Sequence, residues 1–344
     1  MLAPVLGFVK MGSHFAADRY SYLACLGWAA LGGWLLLRLA GDRAWRGLAL
    51  PGAALLAGAY AWAAWSYAGH WKNSEALWAY VTPRAPGSAL AFNNLGDVHF
   101  KARRFPEAAA AYGRALELRP DFAFVSYNLA NALAGAGRWD LAERQYLETL
   151  RVQPVFPAAL GNYGNLLADQ GRYAEAEARY RQSLALKPDN ADVLSGMGEI
   201  FLRQGRLEDA RAWYERSLAV NPQTYSSASN LALTLHRLRR LPEAERWFQA
   251  AISISPGRAI AHDNYGNFLL DAGRYGEAIA RYAEALRLDA SRPETWNNMG
   301  AALLRLGRAD EAVPYLRKAL ELNPGMEMAK RSLAYAASLK AGKK

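Results

Sequence analysis

From residue 89 onward, apolar and small residues fall three and four positions apart in short blocks, and a glycine turn or a proline closes most of them. That spacing puts them on one face of a helix. Residues 157–190, PAALGNYGNLLADQGRYAEAEARYRQSLALKPDN, display the unit. Leu160, Tyr163 and Leu167 predict a first helix over 158–170, and Gly171-Arg172 predicts a turn. Ala176, Tyr180, Ser183 and Leu184 predict the inward face of a second helix over 174–186. Pro188 ends it, because proline lacks the N–H that a helix needs and clashes with the preceding turn.

The unit recurs every 34 residues. Gly96, Ala130, Gly164, Gly198, Ala232, Gly266, Gly300 and Ala334 form one ladder of small residues. Ala108, Ala142, Ala176, Ala210, Ala244, Ala278 and Ala312 form another. Pro120, Pro154, Pro188, Pro222, Pro256 and Pro324 mark the ends, with Ala290 in the remaining place. Small residues at two fixed phases let paired helices approach; a leucine there would overpack the contact, at a cost of about 1–3 kcal/mol. This period and pattern resemble the tetratricopeptide repeat. The frame fits seven repeats: 89–122, 123–156, 157–190, 191–224, 225–258, 259–292 and 293–326. Segment 71–88 reads as a degenerate repeat helix and 327–344 as a capping helix with a basic tail, its far side polar or small. The predicted fold is all-α: a right-handed superhelix of seven repeats plus capping helices, preceded by two transmembrane helices.

Those two helices come from residues 20–70. Tyr20 to Leu37 and Leu48 to Gly69 are uncharged runs of 18 and 22 residues, long enough to span a bilayer. Tyr20, Tyr22, Trp62, Trp65, Tyr67 and Trp71 gather toward one side, and Trp34 and Trp45 toward the other, as interfacial aromatics do. Pro51 falls in the first turn of the second run, where it is tolerated. A buried helical hairpin is the alternative. Residues 1–19 form a short segment ahead of the runs, without the pattern of a cleaved signal peptide. Arg38, Arg43 and Arg46 make the loop between the runs the denser basic segment, which predicts that it is cytoplasmic. The repeats then lie on the other side, in the periplasm of a bacterial inner-membrane protein.

The formal net charge is +10, of which +7 belongs to residues 71–344. Much of it recurs at one repeat position, in Gly137-Arg138, Gly171-Arg172, Gly205-Arg206, Gly273-Arg274 and Gly307-Arg308, with acidic residues nearby. That is an edge of helix turns rather than a basic stripe with stacking aromatics, so nucleic acid is not an expected partner. The one cysteine, Cys25, lies in the first apolar run, and His14, His70, His99, His236 and His262 lack ligand spacing. No metal site, cofactor or catalytic motif is expected from the array.

Met11 to Tyr22, MGSHFAADRYSY, resembles a segment of the transmembrane and tetratricopeptide-repeat proteins related to protein O-mannosyltransferases. The matching parts are Ala17-Asp18-Arg19-Tyr20, the two apolar runs, Trp71 to Trp78, and the repeats. In that family the catalytic carboxylates lie in an early loop of a multi-span half of the C glycosyltransferase type. The resemblance implies that this chain corresponds to the C-terminal part. Asp18, Arg19 and Tyr20 would then be either a remnant of active-site surroundings or an interfacial anchor, with Arg19 snorkelling to the headgroups.

The repeats also resemble those of O-linked N-acetylglucosamine transferase, where an asparagine ladder grips peptide backbone. The corresponding residues are Asn94, Asn128, Asn162, Asn230, Asn264 and Asn298, with Gly196 interrupting the row. Three residues further on stand Asp97, Asn131, Asn165, Glu199 and Asn267, on the same helix face. An asparagine amide offers donor and acceptor, so it can bond a main chain without reading side chains. The alternative is that these amides solvate the groove or cap local turns. The expected function is a membrane-anchored scaffold that takes protein or extended peptide segments into its concave groove, with side chains free of the core. The alternative is the acceptor-binding half of a type-C glycosyltransferase. A separate membrane glycosyltransferase subunit would then be a partner, alongside the bilayer.

Overall fold

The computed structural model describes residues 72–341 continuously, with scattered positions between 34 and 65. Segment 1–19, with Asp18 and Arg19, lies outside the described residues, as do Tyr20 and all but scattered positions of the two apolar runs. Among the described residues, no helix is long and apolar enough to cross a membrane. Residues 72–341 form sixteen helices, and no strand occurs among the described residues.

The chain divides into two compact units, Met1–Lys101 and Ala102–Lys344. The first contains α1 (Ser74–Val81) and α2 (Ala89–Lys101), which pack together. Asn73 caps α1, its side-chain oxygen accepting from the Ala76 N–H at 2.8 Å.

The second unit is a run of antiparallel helix pairs. It opens with α3 (Phe105–Leu118), then pairs α4 (Ala123–Gly135) with α5 (Trp139–Val152), and α6 (Pro157–Asp169) with α7 (Tyr173–Leu186). Next come α8 (Ala191–Arg203) with α9 (Leu207–Val220), and α10 (Tyr225–Arg237) with α11 (Leu241–Ile254). The last pairs are α12 (Ala259–Asp271) with α13 (Tyr275–Leu288), and α14 (Pro293–Arg305) with α15 (Ala309–Leu322). The closing helix, α16 (Glu327–Ala341), packs on α15 and α14. The helices of residues 157–190 begin within one residue of their predicted starts.

The small-residue ladders work as their chemistry demands. A Cβ added at Gly164 would stand 2.5 Å from the Tyr180 ring. At Gly198 and Gly266 it would stand 2.6 Å from Tyr214 and Tyr282. Those rings are fully buried, as are Ala142, Ala176, Ala210, Ala244, Ala278 and Ala312 beside them. Ala334 keeps the phase but is exposed, because no described helix follows to cover it. The outer side of α16 departs from the polar or small expectation at Met328 and Tyr335, both exposed.

At the turns, Gly137, Gly171, Gly205, Gly273 and Gly307 take φ of 72–77°. There glycine avoids the Cβ clash that makes left-handed backbone costly. The two turns without glycine put Arg103 and Arg239 at φ 58° and 62°. The arginine ahead of five of the second helices then folds onto an acid three residues on. The pairs are Arg172–Glu175, Arg206–Asp209, Arg240–Glu243, Arg274–Glu277 and Arg308–Glu311, with N···O separations of 2.6–2.7 Å. The acid also sits in the first helical turn, where the macrodipole favours it. At these five turns the recurring positive charge is compensated in place, whereas Arg138 has Leu141 where the acid would stand.

Within this unit each first helix touches the first helix of the next repeat: α4 with α6, α6 with α8, α8 with α10, α10 with α12, α12 with α14. Second helices do not touch one another. The first helices therefore line the inner, tighter side of the stack, and that side carries the candidate site.

Candidate functional site

Asn94, Asn128, Asn162, Asn230, Asn264 and Asn298 are all half-buried, each in the middle of a first helix. Three residues on, Asn131 and Asn267 are half-buried and Asn165 is exposed. Helical spacing places both rows on the inner side. In the first unit, Asn94 accepts from the Asn93 amide at 3.3 Å.

The second row reaches into the protein. Tyr146 donates its hydroxyl to Asn131 Oδ1 at 2.6 Å, Tyr180 to Asn165 Oδ1 at 2.7 Å, and Tyr282 to Asn267 Oδ1 at 2.7 Å. Burial pushes these phenols well above their ordinary range, so they stay protonated and donate at any physiological pH. The first row reaches across the joint between repeats. Asn162 Nδ2 donates to Asn131 Oδ1 at 2.9 Å and to the Tyr127 hydroxyl at 2.8 Å. Asn298 Nδ2 donates to Asn267 Oδ1 at 2.9 Å. Asn131, Asn162, Asn267 and Asn298 therefore bridge neighbouring repeats on the inner side.

Three joints between the two bridges lack the amide pair. Gly196 stands where a donor to Asn165 would be, and a Cβ there would meet the Tyr180 hydroxyl at 2.8 Å. Asn230 faces the register of Glu199, and Asn264 that of Leu233. Glu199 instead takes two donors from Arg203, at 2.7 and 3.1 Å, both on Oε1. The Tyr214 hydroxyl, whose counterparts each reach the residue fifteen positions earlier, is buried without a partner of hydrogen-bond geometry; the Asn230 amide lies beside it.

A second set of ties lies on the turn edge. Arg172 joins Glu143 at 2.7 Å across the joint between the second and third repeats, and Tyr163 donates to the same carboxylate at 2.6 Å. The Arg172 guanidinium holds Glu143 below the usual carboxylate range, while burial and the hydrogen bond to Glu143 push Tyr163 up to about 12. Arg274, Glu245 and Tyr265 repeat the arrangement between the fifth and sixth repeats, at 2.7 and 2.8 Å.

The missed signal was present in the chain. Tyr146, Tyr180 and Tyr282 each follow an asparagine by fifteen residues, whereas Phe248 follows Leu233 and Leu316 follows Ala301. A hydroxyl goes with an acceptor and an apolar side chain with another. Among the described residues no group of three or more His, Cys, Asp or Glu is placed to hold a metal ion.

Profiles described as tetratricopeptide repeat match residues 89–122, 127–191, 167–232, 223–291 and 266–327. No curated relative matches significantly. Among solved structures, the Cut9 and Hcn1 hetero-tetramer of the APC/C is similar at 16% identity over 76% of this chain and 52% of that one, with a TM-score of 0.61. PilW, a type IV pilus biogenesis factor, is similar at 18% identity over 61% of this chain and 98% of its own, with a TM-score of 0.57. PilF of Pseudomonas aeruginosa is similar at 17% over 62% and 97%, with a TM-score of 0.56. At such identities the likeness is one of fold. With helix pairs, turns and small-residue ladders all in the repeat's register, the chain belongs to the tetratricopeptide-repeat proteins.

Proposed function

We propose that the chain is a membrane-anchored scaffold that holds protein or extended peptide segments along the inner side of its repeats. The observation that carries this reading is the row of half-buried amides on the first helices, spaced one repeat apart. Amide rungs at that spacing suit a main chain running along the stack, and Asn230 and Asn264, outside the two bridges, are the rungs that keep their amides for it. Each net hydrogen bond contributes about 0.5–1.5 kcal/mol, so affinity comes from several rungs together. The test is a display library of unstructured dodecamers against the full chain in detergent. The expected result is a set of mutually competing peptides whose binding falls stepwise as Asn230 and Asn264 are changed to Ala. Selection of no peptide overturns the reading.

The anchor rests on the uncharged runs at 20–37 and 48–69. The exposed Trp34, Leu55, Trp62 and Trp65 also favour it, since lipid suits them better than water. Charge in the loop at 38–46 favours a periplasmic array. Alkaline phosphatase fused after Lys344 should then be active and fused at Gly41 inactive; the reverse pattern overturns this orientation. The resemblance around Ala17–Tyr20 favours a membrane glycosyltransferase subunit as one protein held by the array.

A further inference from the structure

The rungs of the ladder are not equivalent. At the two outer joints the amides satisfy one another: Asn162 with Asn131, and Asn298 with Asn267. Between them, hydrogen-bonding capacity is unspent. Asn165 uses only its oxygen, on Tyr180, and Asn264 has no side-chain partner among the described residues. These amides stand on the accessible side of the first helices, where a peptide main chain can take them up.

The charges on the same face point one way. Asp169 lies one helical turn beyond Asn165 on α6, is exposed, and has no ion-pair partner. It faces Glu199 of the next first helix, and its carboxyl is raised by partial burial and by that neighbouring charge. Arg203 offsets one of the two charges, but both its donors fall on Glu199 Oε1 and leave Oε2 open. Beneath Glu199 lies the independent sign of a ligand. The Tyr214 hydroxyl is 0% exposed and, with the Asn230 amide beside it, has no partner of hydrogen-bond geometry, in the register at which Tyr146, Tyr180 and Tyr282 find an acceptor.

We propose that the open middle of the groove binds an extended peptide through its main chain and seats one lysine or arginine side chain of that peptide between Asp169 and Glu199. The proposal rests on the peptide-binding reading above and adds the chemistry of the ligand. The cation meets Asp169 and the free Glu199 Oε2 from the groove side. It holds the Glu199 carboxylate over Tyr214, whose hydroxyl then gains the acceptor that its counterparts have in Asn131, Asn165 and Asn267. Asn230 and Asn264 take the neighbouring main-chain groups. With Glu199 already paired to Arg203, the two carboxylates leave one charge open, which a single basic side chain matches.

The test uses the full chain in detergent and dodecamers selected from the library. Selected peptides should share a basic residue at one position. Replacing it by norleucine should weaken binding about tenfold or more, the weight of charge-assisted hydrogen bonds. Asp169→Asn with Glu199→Gln should cause a loss of the same size, and the two changes together no more than either alone. Tyr214→Phe should weaken the basic peptide without lowering the stability of the free protein. Peptides that bind without a basic preference, or that bind the doubly neutralised protein unchanged, overturn the cation seat while leaving the groove. No selected peptide at all overturns both. The norleucine peptide leaves the protein untouched, so misfolding of a variant does not blur the result.

Discussion

The joint between the second and third repeats and the joint between the third and fourth are built from the same helices in the same frame, yet they hold together differently. The first is latched twice. Asn162 bridges to Asn131 on the inner side, and Arg172 and Tyr163 both grip Glu143 at the turn edge. At the second, Gly196 removes the amide, and the contact rests on apolar packing of Tyr180 and Val193 against glycines. In a stack where each repeat touches only its neighbours, stability is a sum over such joints. The comparison teaches that polar side chains on the inner face divide into two trades. Some tie repeats together; others stay unpaired on the face where a partner would lie.

The largest effect expected from that division is at Asn131. Changing it to Ala removes acceptors from Tyr146 and Asn162 and leaves a buried hydroxyl unpaired, which should cost about 2–3 kcal/mol in urea unfolding. Asn264→Ala, at an open joint, should cost less than about 0.5 kcal/mol. Equal losses at the two sites would dissolve the distinction.

Next come the tyrosines. Tyr146→Phe and Tyr282→Phe each delete a made hydrogen bond and should cost about 1 kcal/mol. Tyr214→Phe deletes a hydroxyl that has no partner and should leave thermal stability unchanged or raise it.

Glu143→Gln weakens the turn-edge latch by about 0.5–1 kcal/mol, modest because the Arg172 partner is a third exposed. Its folded-state value lies below the ordinary one. The contribution is therefore full above the unfolded value and lost as pH falls through the folded one. The gap between wild type and variant should close below the usual glutamate range.

The smallest effect has the opposite sign. Asp263 is buried, accepts from Thr295 at 2.8 Å, and lies 3.7 Å from Arg292. Burial raises its carboxyl despite both partners. Its charged form is then a burden at neutral pH, and the burden lifts as pH falls through the raised value. Asp263→Asn should gain a few tenths of a kcal/mol at neutral pH and nothing in acid, read from melts at several pH values.

How far the chain announces this is clear from particular residues. The helices, turns and repeat frame follow from Gly164, Ala176 and Pro188 recurring in phase, because each acts within its own repeat. The neutral arginine edge was legible too, since Arg172 and Glu175 are three residues apart. The latches were not: Asn162 and Asn131 lie 31 residues apart, and Arg172 and Glu143 lie 29 apart, across a joint whose rotation a single repeat does not reveal. Reading the asparagines one repeat at a time thus leaves out the bond that the neighbouring repeat supplies. The Tyr–Asn spacing of fifteen residues was the available clue.

The most direct measurement is a paired one on the full chain: unfolding midpoint and peptide affinity for Asn162→Ala with Asn298→Ala, against the same two quantities for Asn230→Ala with Asn264→Ala. The account predicts that the first pair lowers the midpoint and leaves the affinity of the folded protein within about twofold, while the second pair keeps the midpoint and weakens the peptide about tenfold. Loss of affinity in the first pair with none in the second would contradict it.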